Sequence, residues 1–118
     1  MQANTENFNQ MKNIAFIVNP MSGTKTKNRV GKLIRELLDF QQFSPTVVTT
    51  EYPGHATQLA QQFALEGYWA VAAVGGDGTV NEVATGLIGT NTALAIIPNG
   101  SGNGFARHLD ISTRMNRA

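Results

Sequence analysis

Four short apolar runs, with helical patterns between them, constrain the fold of this chain more than any other feature. They are NIAFIV, PTVVTT, AVAAV and ALAII, at residues 13–18, 45–50, 70–74 and 93–97. Nearly continuous runs of this length, rich in Val, Ile and Ala, are typical of strands that are buried on both faces of a parallel sheet. Because strand and helix alternate with short connections, the sequence predicts an α/β fold of three layers, α/β/α, with right-handed crossovers.

The segments between these runs carry apolar residues at helical spacing. Helices are predicted over residues 30–38, over residues 56–67 and over VNEVATGLI, residues 80–88, with a last helical turn or two in GNGFARHL, residues 102–109. The closing ISTRMNRA offers no terminal strand. We expect four parallel strands in the flavodoxin-like order 2-1-3-4, which places the first and third runs side by side at the centre.

Length, charge and hydropathy exclude several classes of protein. At 118 residues the chain has the size of one domain. Its net charge of +1, without a block of like charge, gives no indication of a surface that binds nucleic acid. The chain has no cysteine, its N-terminus is polar, and no apolar run approaches the roughly 20 residues of a membrane span. We therefore expect a soluble, cytoplasmic protein with a disordered tail at residues 1–11. Only 14% of the residues are charged, which suggests that a partner covers part of the surface.

Three glycines lie where the third run passes into the third helix, in VGGDGTVNEV, residues 74–83. Glycine lets the main chain approach an anion, Thr79 can donate a hydroxyl group, and the helix N-terminus adds partial positive charge. The motif therefore predicts a phosphate site, and a valine at Gly76 is expected to damage both the fold and the approach of phosphate. A tight turn in which Asp77 or Thr79 is a simple N-cap explains the same residues, and the motif alone leaves it open.

Two further loops of similar character follow the first and fourth runs. They are NPMSGT, residues 19–24, and PNGSGNG, residues 98–104. Because the carboxyl ends of parallel strands meet at one edge of a sheet, we expect all three loops to converge there. The dinucleotide fingerprint G-x-G-x-x-G and the Walker A pattern are both absent from the sequence, so a different phosphate-binding arrangement is needed.

In this order and at these separations, the segments NPMSG, TTEYPGHATQLA, GGDGTVNEVATGL and PNGSGNGFARHL resemble the catalytic domain of the diacylglycerol kinase family. This family of lipid kinases includes the sphingosine and ceramide kinases and bacterial soluble relatives. GGDGT alone is shared with NAD kinases, but NP-x-SG together with Asn81 and Glu82 is typical of the lipid kinases. Two alternatives are a stand-alone, non-catalytic nucleotide-binding module and a relative of the NAD kinases.

The resemblance implies roles for individual residues. It implies that Asp77 organises the phosphates through Mg²⁺ or an ordered water, whereas Glu82 either forms a capping box with Thr79, which we favour, or reaches the ribose. Lone histidines more often have structural roles, so His55 and His108 are left out of the catalytic set, as is Arg107. The contacts with ATP implied by the resemblance are Asn19, Pro20, Met21, Ser22, Gly23, Thr50, Gly76, Asp77, Gly78, Thr79, Val80, Asn81, Glu82 and Ser101.

The resemblance also implies a lipid acceptor and a second domain. The acceptor would be a lipid hydroxyl of the diacylglycerol or sphingoid type, and Asn103-Gly104, where bacterial soluble members usually have Asn-Asp, leaves the choice between them open. The family's base and much of its lipid pocket belong to a C-terminal β-rich domain. We therefore expect residues 12–118 to be an N-terminal ATP-binding lobe that docks on its own C-terminal domain, contacts membranes at most peripherally and is inactive alone.

Overall fold

Strands and helices alternate along the chain in a computed structural model that describes residues 11–20, 24–98 and 110–112. The elements are β1 Lys12–Val18, α1 Thr24–Leu37, β2 Phe43–Thr49, α2 His55–Leu65, β3 Ala70–Gly75, α3 Asp77–Leu87, β4 Ala93–Pro98 and β5 Asp110–Ser112. Of the expected disordered tail at residues 1–11, residues 1–10 lie outside the described residues, as does the expected helical turn at residues 102–109.

All five strands form one sheet in the order β2-β1-β3-β4-β5. The first four strands along the chain pair in parallel, so the predicted order 2-1-3-4 is confirmed. The chain runs from β1 outward to β2 on one side and from β3 outward to β4 on the other. The crevice between the ends of β1 and β3 is therefore the topological switch point, where sheets of this kind bind ligands.

The fifth strand corrects the expectation that the chain offers no terminal strand. β5 runs antiparallel to β4, with Ile96 opposite Asp110 and Leu94 opposite Ser112. It is three residues long. A strand so short carries no alternation that sequence can display, and its pairing depends on the edge that β4 provides.

The core has two halves, one on each face of the sheet, as a three-layer fold requires. Residues alternate along β1: Phe16 packs with Val30 and Ile34 of α1, whereas Ile17 packs on the other face. That second half also holds residues of α2 and α3, namely Ala56, Ala60, Phe63, Val83 and Leu87. The alanine-rich β3 is fully buried from Ala70 to Val74, because helices cover both of its faces.

The element boundaries differ from the predicted ones where tertiary structure, not periodicity, decides them. Helix α1 begins at Thr24, well before the apolar pattern, and α3 begins at Asp77, inside the GGDG motif. Strand β2 begins at Phe43 and includes Pro45, which an edge strand tolerates because one side of its backbone needs no partner. No helix within the described ranges is long and apolar enough to cross a bilayer.

Candidate functional site

Backbone hydrogen bonds continue past the ends of β1 and β2 and hold the first residues of two loops at the carboxyl edge of the sheet. The Asn19 amide donates to the Val74 carbonyl at 3.1 Å, and the Thr50 amide donates to the Val18 carbonyl at 2.9 Å. Asn19 and Thr50 therefore lie in line with Gly75, the last residue of β3. The predicted convergence of the loops that follow β1 and β3 is confirmed, whereas the loop that follows β4 lies outside the described residues.

A side-chain hydrogen bond joins the NP loop to the GGDGT motif. Asn19 Nδ2 donates to Thr79 Oγ1 at 3.2 Å, and Thr79 is 5% exposed, one of few buried polar residues in the described part of the chain. The two residues are 60 positions apart in sequence. Their contact fixes the first turn of α3 against the end of β1.

The glycines of the motif differ in what surrounds them. A Cβ on Gly75 would lie 2.7 Å from Thr79 Oγ1 and 3.4 Å from Asn19 Cβ, so only glycine lets Thr79 fold back onto the strand end. In contrast, beyond the chain neighbours and the helix's own backbone, no atom of the described residues lies within 4 Å of a Cβ built on Gly76 or Gly78. The expectation that valine at Gly76 damages the fold stays a prediction, whereas the tight space lies at Gly75, which the sequence-based site set omitted.

The N-terminus of α3 has no side-chain cap. Gly76 is the N-cap residue, with φ −89° and ψ −167°, and Asp77 is the first helical residue. The first intrahelical bond runs from the Val80 amide to the Gly76 carbonyl, so the amides of the preceding turn have no partner within the helix. The simple N-cap interpretation of Asp77 or Thr79 is thus wrong, and the uncapped first turn, at the positive end of the helix dipole, follows β3 at the carboxyl edge of the sheet.

Glu82 caps the neighbouring helix instead of its own. Its Oε2 accepts a hydrogen bond from the Gly54 amide at 3.2 Å, where φ of +88° starts α2, and its carbonyl accepts one from Thr57 Oγ1 at 2.8 Å. The predicted capping box between Glu82 and Thr79 is therefore wrong. The reason is the close approach of α2 to α3, because a Cβ on Gly86 would lie 2.5 Å from the Thr57 carbonyl oxygen.

The loop between β2 and α2 is held by hydrogen bonds and ring stacking of its own. The Glu51 amide donates to His55 Nδ1 at 3.0 Å, and the Tyr52 hydroxyl donates to Gln58 Oε1 at 2.8 Å. The rings of Tyr52 and His55 stack, with centroids 4.3 Å apart and planes at 15°. His55 thus has a structural role in this loop, and Arg107 and His108 lie outside the described residues.

These segments surround a cleft of about 380 Å³, which we call the carboxyl-edge cleft. Its lining residues are Asn19, Pro20, Thr50, Glu51, Tyr52, Pro53, Ala56, Gly78, Thr79 and Glu82. Six predicted site residues are among them, and Gly76 and Asp77 are exposed at the adjoining helix end. Val80 packs toward the core instead, and Asn81 is exposed on α3. Met21, Ser22, Gly23 and Ser101 lie outside the described residues.

A larger hollow, of about 750 Å³, lies at the opposite edge of the sheet. It is formed where α2 and α3 end and where β3 and β4 begin, by residues including Leu65, Trp69, Ile88 and Thr92. It contains none of the predicted site residues, and it faces the amino ends of the strands. Ligands of open parallel sheets bind at the carboxyl ends, so the smaller cleft is the better candidate.

Three carboxylates lie in or beside the carboxyl-edge cleft: Glu51, Glu82 and Asp77. Asp77 is exposed in the first turn of α3, where the helix dipole favours a negative charge. Among the described residues, no three His, Cys, Asp or Glu side chains are grouped to hold a metal ion. One carboxylate suits Mg²⁺ that arrives with a phosphate ligand, since Mg²⁺ commonly uses one or two carboxylates together with substrate phosphates.

Known proteins match this chain over most of its length. The chain is 37% identical over 105 residues to the diacylglycerol kinase of Bacillus subtilis, a match that covers 86% of this chain and 34% of that protein. It is 34% identical over 110 residues to sphingoid long chain base kinase 5 of Saccharomyces cerevisiae, covering 86% of this chain and 16% of that protein. The chain therefore spans about a third or less of the length of these relatives.

A crystal structure of a diacylglycerol kinase from Bacillus anthracis has a similar fold, with a TM-score of 0.55 and 28% identity. The similarity covers 77% of this chain and 34% of that one. The profile of the diacylglycerol kinase catalytic domain matches residues 13–118, which include the described strands and helices except Lys12, the first residue of β1, and all residues that line the carboxyl-edge cleft. The chain belongs to the diacylglycerol kinase catalytic-domain family.

Proposed function

We propose that this chain is the ATP-binding lobe of a lipid kinase, which transfers the γ-phosphate of ATP to a lipid hydroxyl. One observation carries the proposal: the uncapped N-terminus of α3, with Gly76 and Gly78 facing open space, lies at the switch point of the sheet. Backbone amides in such a place bind phosphate without a lysine or a glycine-rich fingerprint. The names of the relatives, diacylglycerol kinase and sphingoid long chain base kinase, supply the reaction class.

In this proposal the phosphates lie against the first turn of α3. The amides of Asp77 and Gly78 would donate to phosphate oxygens, and Asn19 holds Thr79 so that the turn keeps its shape. Asp77 would hold Mg²⁺, which supplies positive charge at the transferring phosphoryl group when it is bound. Catalysis of this kind depends on positioning and charge stabilisation, which a preformed helix end provides.

Some of the remaining predicted contact residues have supporting roles in the proposal, and the others rest on the resemblance alone. Thr50 lines the cleft, and Glu82 lines it as well and holds the β2–α2 loop through Gly54, so both shape the space for the nucleoside. Val80 and Asn81 belong to the same helical turn as the phosphate donors and would act through its backbone. Met21, Ser22, Gly23 and Ser101 stay proposed contacts on the strength of the resemblance alone.

The acceptor is proposed to be diacylglycerol or a sphingoid base, in line with the relatives' names. Because the chain spans only 34% of the Bacillus subtilis enzyme, we propose that the catalytic base and the lipid pocket require a further, C-terminal domain. The 118-residue chain would then bind ATP without transferring its phosphate. Phosphate transfer requires the acceptor, the base and the γ-phosphate to be aligned in a cleft that excludes water, and both domains are needed to form that cleft.

Phosphate transfer tests this proposal. The 118-residue chain and the product of the reading frame that contains it would each be incubated with γ-labelled ATP, Mg²⁺ and mixed micelles of diacylglycerol or sphingosine. We expect the longer product to label one of the two lipids and the 118-residue chain to label neither. Labelling of neither lipid by the longer product would contradict the lipid kinase proposal, and labelling by the 118-residue chain would contradict the need for a second domain.

A further inference from the structure

The carboxyl-edge cleft has two chemically different ends. At one end lie the amide and hydroxyl groups of Asn19, Gly78 and Thr79, beside the N-terminus of α3. At the other end lie Tyr52, Pro53 and Ala56, contributed by the β2–α2 loop and the first turn of α2. A ligand that combines an anion with a flat apolar ring matches this arrangement, because amide and hydroxyl groups can bind the anion and the apolar side chains can pack on the ring.

The charges of the cleft favour one orientation of such a ligand. Glu51 and Glu82 are carboxylates on the side of the β2–α2 loop, and Glu82 Oε2 accepts a hydrogen bond from Gly54 in that loop. A phosphate chain placed there would meet both carboxylates, whereas at the α3 end the carboxylate of Asp77 lies beside the uncapped, positive end of the helix dipole. The anionic part therefore belongs at the α3 end, and the ring belongs beside Tyr52.

Tyr52 is held in place before any ligand arrives. Its hydroxyl donates to Gln58 Oε1 at 2.8 Å, and the imidazole of His55 stacks on its ring at 4.3 Å. His55 is itself fixed by the Glu51 amide at 3.0 Å. In spite of these contacts Tyr52 is 48% exposed and lines the cleft. An aromatic ring with its orientation set and much of its surface uncovered binds another ring with little loss of side-chain entropy.

We infer that Tyr52 is the stacking surface for the nucleobase of the bound nucleotide, with His55 and Gln58 as the residues that position it. This inference rests on the proposed nucleotide-binding function and adds to it the residue that holds the base. Stacking accepts every base, because each has an aromatic face. Tyr52 therefore contributes affinity for ATP and GTP alike and does not select between them.

The test separates the base from the phosphates by using two probes, ATP and inorganic tripolyphosphate, each with Mg²⁺. Dissociation constants would be measured by isothermal titration for the 118-residue chain and for Tyr52→Leu and Tyr52→Phe. Phe40→Leu is the matched control, since Phe40 is 47% exposed, similar to Tyr52, but lies in the loop between α1 and β2 at the opposite edge. Circular dichroism melts establish that each variant is folded.

We expect Tyr52→Leu to weaken ATP and GTP binding by about five- to a hundredfold, the range for loss of one base–aromatic stack. Tripolyphosphate binding should stay within about twofold, and Phe40→Leu should bind ATP as the unchanged chain does. Tyr52→Phe keeps the ring beside His55 but loses the hydrogen bond to Gln58, so it should lose less ATP affinity than Tyr52→Leu. The inference is overturned if Tyr52→Leu weakens ATP and tripolyphosphate equally or neither, or if Tyr52→Phe loses as much as Tyr52→Leu. If the unchanged chain binds neither probe, the nucleotide-binding proposal fails as a whole, which is a distinguishable result.

Discussion

Two adjacent glycines at the end of β3 have different roles, and a pair of alanine substitutions separates them. At Gly75 a Cβ meets Thr79 Oγ1 at 2.7 Å, whereas at Gly76 it meets no atom of the described residues within 4 Å beyond its chain neighbours. We expect Gly75→Ala to destabilise the fold by about 1–3 kcal/mol, as overpacking does. Gly76→Ala should change stability little but weaken nucleotide binding, since its methyl group occupies the path to the bare amides.

Urea denaturation of the two glycine variants, followed by titration with ATP and Mg²⁺, checks this prediction. Gly78→Ala is a control for the stability measurement alone, because no described atom crowds its Cβ position, whereas its amide belongs to the proposed phosphate site. Equal loss of stability at Gly75 and Gly76 would show that the crevice is packed differently from the structure described here.

Asp77 tests the proposed charge organisation at the level of one carboxylate. It is exposed in the first turn of α3, and no described residue is hydrogen-bonded to its carboxylate. Asp77→Asn should therefore leave the melting temperature within a few degrees of that of the unchanged chain. In the longer kinase product, transfer of phosphate to lipid should fall by about a hundredfold to a thousandfold, the usual cost of losing charge stabilisation at a transferring group.

The matched control for Asp77 is Glu36→Gln, which removes an exposed carboxylate near the far end of α1. It should change neither stability nor phosphate transfer. If Asp77→Asn kept full activity over a range of Mg²⁺ concentrations, the proposed role of Asp77 with the metal would be wrong.

At the scale of elements, the contact between α2 and α3 shapes the cleft. Glu82 joins them by accepting from the Gly54 amide, and Thr57 donates to the Glu82 carbonyl. Glu82→Ala should cost about 1–2 kcal/mol of unfolding free energy, because the half-buried Gly54 amide loses its partner. Glu82→Gln keeps an acceptor oxygen and should cost less. Urea melts of both variants measure the difference, and Asn81→Ala, one residue away and exposed, is the control.

Equal stability of Glu82→Ala and the unchanged chain would contradict the bridge between the helices. A second readout is the amide of Gly54 in NMR spectra. Its hydrogen exchange should become faster in Glu82→Ala and stay slow in Asn81→Ala, because only the former removes the acceptor.

The strands were predictable because burial on both faces requires a nearly continuous run of apolar residues, such as AVAAV in β3. Their order also followed, since the flavodoxin-like path is the common one for this alternation. The start of α1 at Thr24 and the three-residue β5 were missed, because neither has apolar periodicity of its own. Boundaries set by pairing or by a neighbouring loop do not appear in a local pattern.

The sequence predicted which loops form the site but not which residues contact one another within it. Bare glycines after a buried strand indicated the crevice, whereas the tight space at Gly75 depends on how Thr79 folds back toward Asn19. Likewise, Glu82 has the spacing of a capping box with Thr79, yet its partner is Gly54, 28 positions away. Contacts between residues so distant in sequence become visible only when the helices are packed.

At the scale of the whole molecule, the fold places its ligand chemistry at one edge. The ends of β1, β2 and β3 are brought together there by backbone hydrogen bonds from Asn19 and Thr50. The opposite edge carries exposed apolar side chains at the ends of α2 and α3, Leu65 and Ile88. We therefore predict that a nucleotide perturbs the carboxyl edge alone.

An NMR titration of the 118-residue chain with ATP and Mg²⁺ tests this claim most directly. Weak, fast-exchanging binding is expected from a cleft with one wall, with amide shifts at Thr50, Gly76 and Gly78 and at Tyr52. The amides of Leu65, Ile88 and Thr92 around the larger hollow should not move. Shifts confined to that hollow, or no shift at the N-terminus of α3 at saturating nucleotide, would contradict the account.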